Sequence, residues 1–273
     1  MAAISDNLIH FLARVDKESP GKQFEVFKKI LENGLRTGRV QIKYGNHGMV
    51  YNQIICFTDI PLRECTQHTT VYGKFGIGFR KSYVKNVGGN PARYFLDYLP
   101  METGTKATVE SRGSLYATLG MQYSILQALS ELLSKDPNPS LFDKEGKEIF
   151  TGKQLQELKS SLLLSFSYDK EMGDLGPARD ETTEIDLYYK EREWRLVPSA
   201  LAAKSGVFVG SADGGGHYLF DRSNVNMVVV PNEEMRGEVL NYLLTLRESA
   251  DARLRAFGEN PLPVMNYDDL DRW

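Results

Sequence analysis

Glu191-Arg192-Glu193-Trp194-Arg195 holds two carboxylates and a guanidinium at alternate positions. On a strand, residues 191, 193 and 195 would share one face, while Trp194 packs inward from the other. Such a group either forms salt bridges at a surface or, inside a cleft, suits stabilisation of a cationic transition state. A second group is Cys56-Phe57-Thr58-Asp59-Ile60-Pro61, followed by Tyr72 and the glycine-bearing Phe75-Gly76-Ile77-Gly78-Phe79. Thr58 and Asp59 are of the types that cap a following helix. The third is His10 in the apolar run Leu8-Ile9-His10-Phe11, where a lone histidine is more often structural than catalytic. No P-loop, nucleophile elbow, His-Glu-x-x-His or Rossmann glycine fingerprint occurs.

The elements that must position these residues follow from periodicity. Phe24, Phe27, Ile30 and Leu31 fall at helical spacing, and Asn33-Gly34 ends that helix because glycine tolerates a left-handed cap. Ile54-Ile55-Cys56-Phe57 reads as a buried strand stopped by Asp59 and Pro61. A short helix is expected over residues 62–71. Alternating apolar residues and glycines over 75–79 mark a strand closely approached by another backbone or a ligand. Asn86–Pro91 reads as a turn leading into an extended 92–98. Apolar stripes predict helices over 115–133 and 155–166, with a loop over 135–147 between them. A polar loop over 169–183 precedes a strand at 188–198, further strands at 207–209 and 227–230, and an amphipathic helix over 233–247.

Bulk properties narrow the functional classes. The 273 residues are 41% hydrophobic and 25% charged, an ordinary globular composition. No run approaches the roughly 20 apolar residues of a membrane span, and Met1–His10 lacks the form of a secretory leader. With only Cys56 and Cys65 there is no disulfide framework. These features predict a cytoplasmic protein without membrane contact, and four histidines make a zinc site an unfavourable reading. A net charge of −3 argues against a general nucleic-acid coat. Arg36, Arg39, Lys43, Arg80, Lys81 and Lys85 could still form a local basic patch, although a solvated face is the commoner outcome.

Taken together, the apolar run with its histidine, the helix ending in Asn-Gly-Leu, the strand, the short helix with an aromatic, the Gly-rich strand and the late strand with Glu resemble the ADP-ribosyltransferase fold in its His-Tyr-Glu branch. More locally, Ile55–Pro61, Tyr72–Phe79, Gly88–Pro91 and Glu193-Trp194-Arg195 resemble AbiGi-type abortive phage-infection proteins, over residues 5–98 and 188–198. The resemblance implies an intracellular toxic activity held in check by a neutralising partner.

The first resemblance implies roles for particular residues. His10 would hold the nicotinamide ribose of NAD, with Phe11 following where a small or hydroxylated residue is usual. Tyr72, with His68 as its competitor, would stack on nicotinamide. Glu193, with Glu191 as fallback, would steady the oxocarbenium-like transition state. Thr58 and Asp59 would shape the pocket wall, and Arg14 and Arg195 would meet phosphate. NAD would be consumed as substrate, and no metal is required.

The expectation is therefore one α+β domain over residues 1–273, with an ADP-ribosyltransferase-like split mixed or antiparallel sheet and a helical insertion near 100–167. Its expected function is that of an ADP-ribosyltransferase toxin of anti-phage defence. The acceptor would be RNA, DNA or protein, nucleic acid being slightly favoured. NAD hydrolysis without an acceptor would use the same residues. The rival from another class is a non-catalytic antitoxin or phage sensor, in which His10, Tyr72 and Glu193 are structural; AbiGi-type proteins have been described as antitoxins.

Overall fold

The computed structural model describes residues 6–12, 19–43, 49–95, 115–171, 192–212 and 214–270. The chain divides into two compact units, one of residues 1–39, 53–91 and 187–273, the other of 40–52 and 92–186.

The first unit holds all but residues 49–52 of a sheet path of seven strands: β1 (Asn7–Phe11), β2 (Met49–Thr58), β3 (Gly76–Arg80), β4 (Asn90–Pro91), β5 (Glu193–Leu196), β6 (Val225–Val230) and β7 (Val264–Asn266). They lie in the order β7-β6-β3-β1-β2-β5-β4. Every neighbouring pair is antiparallel except β6 and β7, which run parallel. The molecule is thus α+β with a mixed, mostly antiparallel sheet. Pro91 sits on the edge strand β4, where its missing N–H interrupts no central ladder.

Alternation along the strands separates two faces. Leu8, Ile55, Phe57, Ile77, Phe79, Trp194, Leu196, Val228 and Val230 line one face and form the main core. The helix Pro20–Asn33 buries Phe24, Phe27, Ile30 and Leu31 there, with Phe27 5.6 Å from Phe75 between ring centroids. The helix Glu233–Thr245 adds Met235, Val239 and Leu243, its start capped by the Asn232 side chain accepting from the Met235 amide at 2.9 Å. At the far end of the first helix, Arg253 donates to the carbonyls of Leu31 and Glu32. A guanidinium there satisfies groups that the last helical turn leaves unpaired.

Ile9, Phe11 and Val229 line the opposite face and cluster with Ile60, Cys65 and Tyr267 under the helix Thr66–Tyr72. Gly76 and Gly78 share that face. A Cβ at Gly76 would stand 3.0 Å from Ile9 Cγ2 and 3.1 Å from Phe11 Cδ1; one at Gly78 would stand 2.7 Å from Met227 Cγ. The close approach expected at this strand is made by the protein's own side chains.

In the second unit the helices Leu115–Lys135 and Gly152–Ser167 are joined through a short hairpin, Leu141–Phe142 with Glu148–Phe150, where a loop was expected. Tyr123 meets Phe166 edge-on at 6.4 Å. A capping box starts the second helix: the Gln154 amide donates to Thr151 Oγ1 at 3.3 Å, and the Thr151 amide donates to Gln154 Oε1 at 2.9 Å. Asp169–Glu171, expected as the start of a loop, instead pairs in parallel with Arg93–Phe95. An ion pair of 2.7 Å between Arg93 and Asp169 reinforces that pairing. The rest of the expected polar loop, residues 100–114 of the expected insertion and Glu191 lie outside the described residues.

Candidate functional site

Register decides which of the candidate residues can meet. Ile9 pairs with Thr58 across β1 and β2, and Thr58 pairs with Glu193 across β2 and β5. Residues directly opposite in a ladder present their side chains to the same face, so Ile9, Thr58 and Glu193 form one row. Phe11, Cys56 and Arg195 lie on that face as well, because each is two positions along its strand. His10 alternates to the other face, where it pairs with Ile77 and its ring lies 5.8 Å from that of Phe57.

Glu193 and Arg195 form an ion pair, Arg195 Nε donating to Glu193 Oε1 at 2.8 Å, with side chains 11% and 6% exposed respectively. Their i, i+2 spacing on one strand face makes the contact, as the alternation predicted. Thr58 beside them is buried. The carboxylate is therefore fixed, largely dry and neutralised by its own strand neighbour. A pair of this kind gives the sheet a defined polar register, and removing one partner would leave a buried charge uncompensated.

His10 Nδ1 lies 2.8 Å from the Cys56 carbonyl, which can only accept, so the neutral ring carries its proton on Nδ1. Burial holds the imidazole below its ordinary value, against the opposing effect of that hydrogen bond. Through this bond the ring ties β1 to β2.

Tyr72 and His68, two candidates for the same aromatic role, stand together. Their ring centroids are 4.4 Å apart, and His68 in turn lies 5.1 Å from Phe11. They are one turn apart on the helix Thr66–Tyr72, which accounts for the stack. This stack packs on the Ile9 and Phe11 side of the sheet. The structure thus brings Phe11, Thr58, Tyr72 and Glu193 to one face and places His10 on the other. Arg14 lies outside the described residues.

Thr58 and Asp59 do not cap the following helix. Thr58 ends β2, and the Thr66–Tyr72 helix starts at Cys65 without a side-chain cap. Asp59 instead pairs with Lys81 at 2.8 Å, and Lys81 Nζ lies 5.7 Å from the centroid of the Trp194 ring. No sequence signal connects positions 59 and 81; only β3, running antiparallel beside β1, carries Lys81 to that end of the sheet. Cys65 Sγ donates to the Ile60 and Pro61 carbonyls, and burial, with a smaller effect from Glu64, pushes its thiol up to about 12.

Among the described residues, no helix is long and apolar enough to cross a membrane. No solved structure matches the chain. It is 28% identical over 110 residues to the abortive phage resistance protein AbiGi of Lactococcus lactis subsp. cremoris, an alignment covering 36% of this chain and 44% of that protein's length. A family model described as "Putative abortive phage resistance protein AbiGi, antitoxin" matches residues 36–213. That description corrects the expected function: it names an antitoxin, where the order of elements had suggested an ADP-ribosyltransferase toxin. Because the match spans well over half of the chain, the protein belongs to the AbiGi family of abortive phage resistance proteins.

Proposed function

We propose that this protein is the antitoxin of an abortive-infection pair, a non-catalytic chain that binds a toxin protein and holds it inactive until phage infection. The observation that carries this reading is the match of residues 36–213 to a family described as an antitoxin. Two features of the site support it. The Glu193 carboxylate is neutralised by Arg195, whereas a cationic transition state needs negative charge to spare. His10 lies on the other face of the sheet from Glu193. We read the sheet as ADP-ribosyltransferase-like in plan, a statement about architecture alone, supported by a histidine on its first strand and a glutamate on a late one. A cytoplasmic setting belongs to the same reading, supported by the free thiols of Cys56 and Cys65.

The test is co-expression with a candidate toxin protein. Expressed alone, that partner arrests growth; with this chain present, growth returns and the two co-elute at a fixed ratio. Continued arrest on co-expression and separate elution would overturn the antitoxin reading. A second arm incubates the purified chain with NAD: nicotinamide release that is lost in Glu193→Gln would overturn its non-catalytic part.

A further inference from the structure

Arg80 and Arg222 are brought together by the first unit's fold, far apart in sequence, at the end of β3. Backbone carbonyls hold both. Arg80 Nε donates to the Ser223 carbonyl at 2.7 Å. Arg222 donates through Nε to the Asn260 carbonyl, through one terminal nitrogen to Val225 at 2.9 Å, and through the other to Pro261 at 3.3 Å. A guanidinium carries N–H groups beyond these. Both terminal nitrogens of Arg80 and one N–H on each terminal nitrogen of Arg222 remain to be used.

Neither arginine has a carboxylate within ion-pair distance among the described residues. Asp221, next in the chain to Arg222, forms no ion pair with it: its amide donates to Asn224 Oδ1 at 2.8 Å and its backbone carbonyl accepts from the Asn224 amide at 2.9 Å. Arg222 is held below its ordinary value, first by partial burial and second by the positive charge of Arg80. Two like charges are thus held by neutral acceptors on adjoining residues, Arg80 by the carbonyl of Ser223 and Arg222 one position before it, Arg222 half-buried and Arg80 exposed.

We propose that Arg80 and Arg222 form an anion site that takes a phosphate group, the Arg80 fork and the remaining N–H groups of Arg222 supplying its hydrogen bonds. A tetrahedral dianion accepts from several planar donors at once, and its charge offsets the repulsion between the two guanidiniums. The carbonyl tethers hold both guanidiniums in place beforehand, so little side-chain freedom is lost on binding. The site is independent of the antitoxin reading and stands or falls separately.

The experiment is thermal unfolding of the full chain in increasing inorganic phosphate, with sodium chloride adjusted to constant ionic strength. The expected result is a saturating rise in Tm with phosphate that chloride does not reproduce. Arg80→Gln, which leaves every Arg222 tether in place, weakens phosphate binding at least about tenfold, the loss expected on removing charge-assisted hydrogen bonds. Arg80→Lys, which keeps the charge and loses the fork, falls between the two. A 5′-phosphorylated mononucleotide and an oligonucleotide without terminal phosphate, added as competitors, distinguish a small phosphate monoester from a nucleic-acid backbone as the source. No phosphate-specific rise in the unsubstituted protein would overturn the proposal whatever the variants do, and so would an undiminished rise in Arg80→Gln.

Discussion

His10 and Glu193 occupy opposite faces of the central sheet. Glu193 is in register with Thr58, Thr58 with Ile9, and His10 is the next residue after Ile9 on β1. A single position along a strand reverses the side on which a residue stands. The two therefore contribute separately to the fold, His10 through the Cys56 carbonyl and Glu193 through Arg195.

The first prediction is additivity. In urea unfolding, the stability losses of His10→Asn and Glu193→Gln sum in the double variant to within about 0.5 kcal/mol. A larger coupling would show that the two side chains act as one unit and would contradict the opposite-face arrangement.

Arg195→Met leaves the Glu193 carboxylate buried without its strand partner, so a loss of about 3–5 kcal/mol is expected at neutral pH. Replacing both residues together, Glu193→Leu with Arg195→Met, restores much of that loss because no charge is left to desolvate. Equal stability of the single and double variants in urea melts would show that the ion pair is not what Arg195 contributes.

His10 gives the fold a pH dependence. Burial depresses its folded value, and the unfolded ring titrates near the ordinary value of about 6.5. Below that pH the unfolded chain binds a proton that the folded chain resists. The stabilisation is therefore complete above about pH 6.5 and declines as the pH falls toward the folded value, by up to about 1.4 kcal/mol per pH unit. Urea midpoints at pH 7.5, 6.5 and 5.5 should fall more steeply for the unsubstituted protein than for His10→Asn. Parallel curves would remove His10 from the account.

Gly34 closes the first helix with φ at +91°, its amide donating to the Ile30 carbonyl at 2.9 Å. A Cβ there would stand 2.5 Å from the Tyr218 carbonyl oxygen, a backbone atom that cannot swing aside. Gly34→Ala meets both the unfavourable backbone region and the clash, and a loss of about 2 kcal/mol or more is expected. Gly146, also at positive φ but with open space around its Cβ position, serves as the control. The same substitution there costs about 1 kcal/mol, and equal losses at the two sites would mean that the clash is absent.

Local chemistry was legible without the fold. The 3.6-residue spacing of Phe24, Phe27, Ile30 and Leu31 and the cap at Gly34 specify the first helix, because one turn of backbone and one apolar stripe are short-range properties. The alternation around Trp194 likewise put Trp194 in the core and Glu193 beside Arg195. The family resemblance, too, rested on short contiguous blocks. Strand neighbours are a different matter. Nothing local says that β1 lies between β3 and β2, or that Thr58 faces Glu193, since a ladder joins residues whose separation along the chain carries no signal. Reading His10, Tyr72 and Glu193 as one site required a register, and register is set by which faces are buried across the whole sheet. The Asp59–Lys81 pair and the tethered Arg80 and Arg222 arise in the same way. Side-chain type decided what these residues can do; only the packing of distant strands decided which of them do it together.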